Sequence, residues 1–422
     1  MTHPTAMPKD SQPALTPKLR FPEFRNEPGW EQRRLGLVLK FQAGFPFPSS
    51  GFNDVGKGLR LIRNRDLRSD DNIVFYSDEF DPSFIVGNGD VLVGMDGDFT
   101  PTVWEKGNAL LNQRVGRVLP REHNNRRFLL YLLTLCLKRI EEATARTTVK
   151  HLSHSAVENK HEPVPSPAEQ QKIAECLSTL DELIGAESQK LDALKAHKKG
   201  LMQQLFPREG ETLPRLRFPE FQNAPEWRER KLDDILESIT NGLSAPQNGG
   251  VNGIRVTRIE TISSQEIDLT KVGFISTDQD VSSYKLQIGD ILFSNINSVS
   301  HIGKTAFVSQ EYDLYHGMNL LRLIVDKAEN YPHFVHYLLN TDSVRESFRA
   351  RANKAVNQAS INQTELGRTV VKLPRQDEQH RIATCLSSLD ELIAAQSERI
   401  SALQTHKQGL LQHLFPVAGE NA

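Results

Sequence analysis

The stretches of this 422-residue chain that resemble reaction machinery each stop short of it. Gly51-Phe-Asn-Asp-Val-Gly56-Lys57-Gly58 approaches a phosphate-cradling loop. It lacks the Ser or Thr that meets magnesium, and an alternating strand pattern follows where a helix is required, so it reads as a basic flexible loop. Gly94-Met-Asp-Gly-Asp-Phe99 sets two carboxylates close together, but the calcium pattern does not continue past Asp98, and a tight turn is expected. His151, His154 and His161 are near one another without the Cys or His pair that zinc spacing demands, and are expected on the surface. No nucleophile elbow, zincin helix or dinucleotide fingerprint is found. The expectation is therefore no catalytic constellation and no metal site.

Other residues suit recognition better than reaction. Leu59-Arg-Leu-Ile-Arg-Asn-Arg65 alternates and would place Arg63 and Arg65 on one strand face; Ile254-Arg-Val-Thr-Arg258 echoes it with Arg258. Guanidinium groups so placed suit phosphate contacts or bidentate guanine readout, and equally a solvated strand face. Asn295 and Asn297 suit adenine edges or a turn. Lys57, Arg114, Lys150 and Lys304 join the candidate DNA contacts by chemical type.

What must position these residues is a duplication. Leu19-Arg-Phe-Pro-Glu-Phe24 recurs as Leu216-Arg-Phe-Pro-Glu-Phe221, and Trp30 answers to Trp227. Glu169 to Glu211 recurs as Glu378 to Glu420, with 26 of 43 positions identical and no gap. Between these matches the copies share little beyond pattern: Gly89-Asp90 with Gly289-Asp290, and Phe128 to Arg139 with Phe334 to Leu339, two expected helices that share Tyr131 and Tyr337. Entry segments and long helices are alike while the middles differ. A shared frame carrying two modules that recognise different things accounts for this, as does drift where change was harmless.

The long helices are the clearest elements. Ser166-Pro-Ala-Glu169 offers an N-cap Ser, a Pro at the first helical position and a Glu to complete a capping box. Apolar residues then step by four and three: Ile173, Leu177, Leu180, Ile184, Leu191 and Leu194 in one helix, and Ile382, Leu386, Leu389, Ile393, Ile400 and Leu403 in the other. So narrow a seam over nearly five heptads predicts a coiled coil, stopped by Phe206-Pro207 and Phe415-Pro416. Glu187, Lys198, Gln396 and Lys407 interrupt it. Antiparallel pairing brings Asp181 and Glu182 near His406 and Lys407, and Asp390 and Glu391 near His197 and Lys198; parallel pairing opposes like charges. Antiparallel packing is expected, with a homodimerising coiled coil as the plain alternative.

Bulk properties narrow the classes. A hydrophobic content of 38% and a charged content of 25% are those of a globular protein. The longest apolar run, Phe128 to Leu137, is too short to span a membrane. The first residues lack the basic start and apolar core of a signal peptide, and three cysteines make no disulfide framework, so a cytoplasmic protein is expected. A net charge of -2 argues weakly against nucleic acid. Residues 1–150, however, carry 22 Lys+Arg against 18 Asp+Glu, and the remainder 29 against 35. On residues alone a DNA reader, a scaffold whose modules bind proteins, and an enzyme with an unrecognised site all stand.

The order of these pieces, repeated twice, resembles the specificity subunits of type I restriction–modification systems. The resemblance rests on Ala168-Glu-Gln-Gln-Lys-Ile173 preceded by Pro165, on Leu61-Ile-Arg63 with Asp66-Leu67, on Gly94 to Phe99, on Leu111-Asn-Gln-Arg-Val115 and on Thr147 to Leu152. The second copy departs at Asn357-Gln358-Ala-Ser-Ile361 and at Asp377. The resemblance implies an α+β fold: two mixed target-recognition domains separated by two long helices in an antiparallel coiled coil, an internal pseudo-twofold repeat. The expected division is a disordered lead-in 1–18, recognition domain 19–164, spacer helix 165–207, linker 208–215, recognition domain 216–373, spacer helix 374–416 and tail 417–422. It further implies a non-catalytic chain, each domain reading half of a bipartite double-stranded DNA site. The helices would act as ruler and docking surface for two modification subunits, joined by restriction subunits. S-adenosylmethionine, ATP and Mg2+ would belong to those partners.

Overall fold

The structure, a computed structural model, describes residues 15–144, 151–244, 253–298, 301–354 and 359–416. Most of the lead-in, Lys150 and the tail after 416 lie outside these residues. Two compact units form: the first from residues up to 188 and from 399 onward, the second from 189–398. They do not follow the linear division expected from sequence, because each long helix gives its first half to one unit and its second half to the other.

Each unit is built on one four-stranded antiparallel sheet. In the first unit β1 (Leu39–Ala43), β2 (Val91–Gly94), β3 (Pro101–Val103) and β4 (Val115–Pro120) lie in the order β1-β4-β2-β3. In the second β5 (Leu236–Asn241), β6 (Ile291–Phe293), β7 (Thr305–Phe307) and β8 (Leu321–Val325) lie in the order β5-β8-β6-β7. The registers correspond, Gly116 opposing Val93 as Leu321 opposes Phe293. The unbroken burial of Val91 to Gly94 and of Ile291 to Phe293 explains why the Gly-Asp turns lead into purely apolar runs.

Helices cover these sheets. In the first unit α1 (Arg126–Thr144) is longer than the apolar run that announced it. The long helix α2 (Pro167–Leu205) follows the strand His161–Val164. In the second unit α3 (Pro332–Leu339) stands where α1 does, and a further helix, Asp342–Arg351, continues from it. The long helix α4 (Gln376–Leu414) follows Val370–Leu373. At 39 residues α2 and α4 are each about 58 Å long at 1.5 Å per residue.

The cores explain the seam. Ile173 and Leu177 join the first core together with Leu414 and Phe415 from the end of α4. Ile382 and Leu386 join the second with Leu205 and Phe206 from the end of α2. Trp30, Phe128 and Phe415 pack with centroids 5.4–5.9 Å apart, and Trp227, Phe334 and Phe206 repeat this at 5.3–6.1 Å. Removing one such buried ring costs about 3–5 kcal/mol. Along the middle of the helices Leu180, Ile184, Leu191, Leu194, Leu389, Ile393 and Leu403 are only half-buried, while Ile400 is covered. The two helix ends carry the apolar burial and the middle is a thin layer.

Candidate nucleic-acid interface

A repeated set of buried polar contacts fixes each module to its helix. Ser166 caps α2, accepting from the Glu169 amide at 3.4 Å, with Pro167 at the first helical position. The Glu169 carboxylate does not complete the expected capping box. It is buried, accepting from Arg20 Nε at 2.8 Å, Arg20 Nη2 at 2.7 Å and Trp30 Nε1 at 3.2 Å. Glu378 repeats this with Arg217 Nε at 2.8 Å, Nη2 at 2.7 Å and Trp227 Nε1 at 3.4 Å. The fork of a guanidinium matches a carboxylate bidentately, so both buried charges are satisfied. The recurring Leu-Arg-Phe-Pro segments and tryptophans thus serve one pair of carboxylates. Gln170 Oε1 accepts from the Asn125 amide at 2.9 Å, ahead of α1, and Gln379 Oε1 from the Tyr331 amide at 2.9 Å, ahead of α3.

The interrupted seam has a similar explanation. Tyr131 donates its hydroxyl to Asp181 at 2.7 Å, and Lys407 pairs with the same carboxylate while lying over the tyrosine ring. Tyr337 donates to Asp390 at 2.6 Å, and Lys198 pairs with it in the same way. Burial, then the neighbouring carboxylate, pushes both phenols above their usual range. Arg399 pairs with Glu187 at 2.8 Å. As residue numbers rise on α2 their partners fall on α4, so the helix segments sharing a unit run antiparallel.

The candidate contact residues meet different fates. The strand expected to carry Arg63 and Arg65 ends at Ile62. Arg63 instead precedes a 3-10 turn, Asn64–Leu67, where Asp66 accepts from its amide at 2.8 Å and its Nε at 2.8 Å. Arg63 is thereby tied inside the protein, while Arg65 remains 62% exposed. Lys57 is exposed in a loop ordered by Asn53, whose side chain bonds both its amide and its carbonyl. No helix follows, which removes the phosphate-loop geometry.

Asp96 and Asp98 are held by cations rather than left for a metal. Asp98 pairs with Arg68, and Asp96 faces Arg114 Nη1 at 3.3 Å and His151 Nδ1 at 2.8 Å. His151 and Arg114 are themselves 3.0 Å apart, while His154 and His161 stand elsewhere, on a short helix and an edge strand. Among the described residues no three His, Cys, Asp or Glu side chains gather to hold a metal.

In the second unit Arg258 is exposed beside Glu260, and Lys304 reaches the Ser263 carbonyl at 2.8 Å. Asn297 ends the short strand Ile296–Asn297 and bonds Ser294 Oγ and the Ser298 amide. Asn295 is half-buried with its side-chain oxygen unpartnered. Sequence reasoning passed over Arg117 and Arg322, which approach Asp90 at 3.6 Å and Asp290 at 2.7 Å and also bond the carbonyls of Ser83 and Ser283. Their shared position after the Leu-Asn-Gln-Arg segment and its counterpart was the available signal.

Both units carry matching strands beyond the shared sheet. Leu59–Ile62 pairs Val74–Tyr76 and Ala109–Leu111 in the first as Ile254–Val256 pairs Gly273–Ile275 and bridges Tyr315 in the second, so what differs is the side chains these strands and their turns present. Residues 27–196 and 225–405 each match the family model described as the type I restriction modification DNA specificity domain. The chain belongs to that family.

The relatives extend over the repeat. A putative MjaX specificity subunit of Methanocaldococcus jannaschii is 45% identical over 200 residues, 46% of this chain and about half the length (47%) of that relative. The EcoBI specificity subunit of Escherichia coli is 29% identical over 384 residues, covering 85% of this chain and 79% of its own. The solved S subunit from M. genitalium shares the fold at a TM-score of 0.62 and 16% identity, covering 96% of this specificity-family chain and all of that one.

Proposed function

We propose that this chain is the non-catalytic DNA-reading subunit of a type I restriction–modification complex. The observation that carries the reading is the contrast within the family match: identical buried anchors in both units, and different exposed side chains, Arg114 against Asn319, at matching turns. Each unit reads one half of a bipartite, asymmetric site in double-stranded DNA. The helices α2 and α4 set the spacing between half-sites and dock two modification subunits, with restriction subunits completing the assembly. S-adenosylmethionine, ATP and Mg2+ are used by those partners, which flip and methylate the adenine while this chain positions them. All of this belongs in the cytoplasm; no described helix is long and apolar enough to cross a membrane.

The deciding experiment is the methylome of the host with the gene intact and deleted. Loss of a methylated two-part motif on deletion is expected, and an unchanged methylome refutes the reading. Inserting one heptad in both helices lengthens the unspecified spacer, and exchanging residues 40–150 for another module alters one half of the motif only.

A further inference from the structure

Four described residues other than glycine adopt a positive φ, and two of them stand at equivalent places in the two units: Arg114 and Asn319, each at φ 71°. The equivalence is topological. Asn112 makes a lone parallel bridge to Phe45, as Gly317 does to Leu243, and the next residue donates its amide to the same partner: Gln113 to Phe45 at 2.9 Å, Met318 to Leu243 at 3.1 Å. The backbones cross so closely that a Cβ on Gly44 would lie 2.1 Å from the Asn112 carbonyl oxygen, and one on Gly242 2.0 Å from that of Gly317. Arg114 and Asn319 follow immediately, just before β4 and β8.

A left-handed backbone favours glycine and, among other residues, asparagine; arginine is costly there. Backbone strain kept at an exposed turn marks a position where the side chain itself is wanted. Both side chains are exposed, Arg114 by 55%. The two types are also those that make two-point contacts with purine edges in the major groove: guanidinium to guanine O6 and N7, carboxamide to adenine N6 and N7. Arg114 is long, and its Nη1 is steadied by Asp96 and His151. Its other donors have no partner among the described residues. The residue corresponding to Asp96 is Ile296, so Asn319, with only two side-chain torsions, stands without such an anchor.

Building on the proposed function, we infer that Arg114 reads a guanine in one half-site and Asn319 an adenine in the other. The strained turn is a presentation device installed once per unit, and its side chain sets the base.

The test uses the complete complex in its host, reading methylated motifs base by base. A wild-type methylome without a two-part motif overturns the function itself; the variants address this inference alone. Arg114→Gly relieves the backbone, so a merely structural residue tolerates it. Here it is expected to relax one G·C position in one half by about 10- to 100-fold, and Asn319→Gly one A·T position in the other half. Unchanged discrimination at every position in Arg114→Gly overturns the assignment. Should that variant assemble poorly, Arg114→Asn keeps a residue suited to the turn. A shift of one position from G·C toward A·T supports the inference, and an undisturbed G·C preference overturns it.

Discussion

Glu169 meets Arg20 and Trp30 in the first unit, and Glu378 meets Arg217 and Trp227 in the second with bond lengths that agree to about 0.2 Å. At the outer edges the same two units diverge. The Asp96–Arg114–His151 cluster of one corresponds to Ile296, Asn319 and Ser360 in the other. Inside the units Leu111 gives way to His316, so the divergence reaches the interior as well. What is held constant is what ties a module to a helix, and the exposed part of what varies lies where a second molecule can be met. The duplication therefore separates the residues needed to fold from those free to choose a target.

Breaking the constant part should have the largest effect. Glu169→Ala leaves Arg20 as a buried unpaired charge, and Glu378→Ala does the same to Arg217; each is expected to destabilise its own unit by about 3–5 kcal/mol. Hydrogen exchange resolved by peptide reads this: Glu169→Ala accelerates exchange in α1 and spares α3, and Glu378→Ala does the reverse. Equal loss in both units, or none, breaks the comparison.

The next effect distinguishes the units by pH. His316 is 1% exposed, donating from Nε2 to the Leu320 carbonyl at 3.0 Å, and burial lowers its pKa from 6.5 to about 4. The unfolded chain therefore binds the extra proton first as pH falls below 6.5. Stability held at neutral pH is lost progressively down to about pH 4, on the order of 3 kcal/mol. Acid exchange profiles are expected to open the second unit before the first, where Leu111 stands in its place. His316→Leu should lessen that pH dependence without abolishing it, because burial also lowers the pKa of His336 in the same unit to about 3, and an unaltered slope assigns the acid sensitivity wholly to other groups.

Much of this was legible beforehand, and the reasons are physical. Helix periodicity and opposite charges at fixed spacing are local signals, so the seam and the approach of Lys407 to Asp181 followed from the sequence. The Arg20–Glu169 pair was not legible, since 149 residues separate its partners and Glu169 also satisfies a local capping pattern. Arg63 was misplaced because alternation continues past Ile62, while the Asp66 carboxylate turns the chain there. The left-handed turn at Arg114 leaves no trace in residue type, because arginine is a poor predictor of that conformation, and an asparagine such as Asn319 only permits it.

Smaller changes sharpen the comparison further. Tyr131→Phe and Tyr337→Phe each remove one hydrogen bond to a carboxylate still held by lysine, and should cost about 1–2 kcal/mol apiece. Matched losses in thermal melts confirm a shared frame; a cost at one tyrosine only shows that the frame has itself diverged. Smallest of all, Arg65→Ala should leave the fold unchanged and weaken binding of the assembled complex evenly across sequences, lowering the salt-dependence slope by about 0.9 if Arg65 meets a phosphate. A change confined to one base position would make it a reader instead.

The Leu19 amide donates to the His413 carbonyl at 2.9 Å, and the Leu216 amide to the Gln204 carbonyl at 2.9 Å. In the second case the polypeptide itself runs from one partner to the other through residues 205–215. In the first, the same junction is made by segments from opposite ends of the numbering. The same joint is thus made once through continuous chain and once by residues 394 positions apart. What holds the joint is therefore the hydrogen bond and the packing beneath it, and not the covalent path between the two segments.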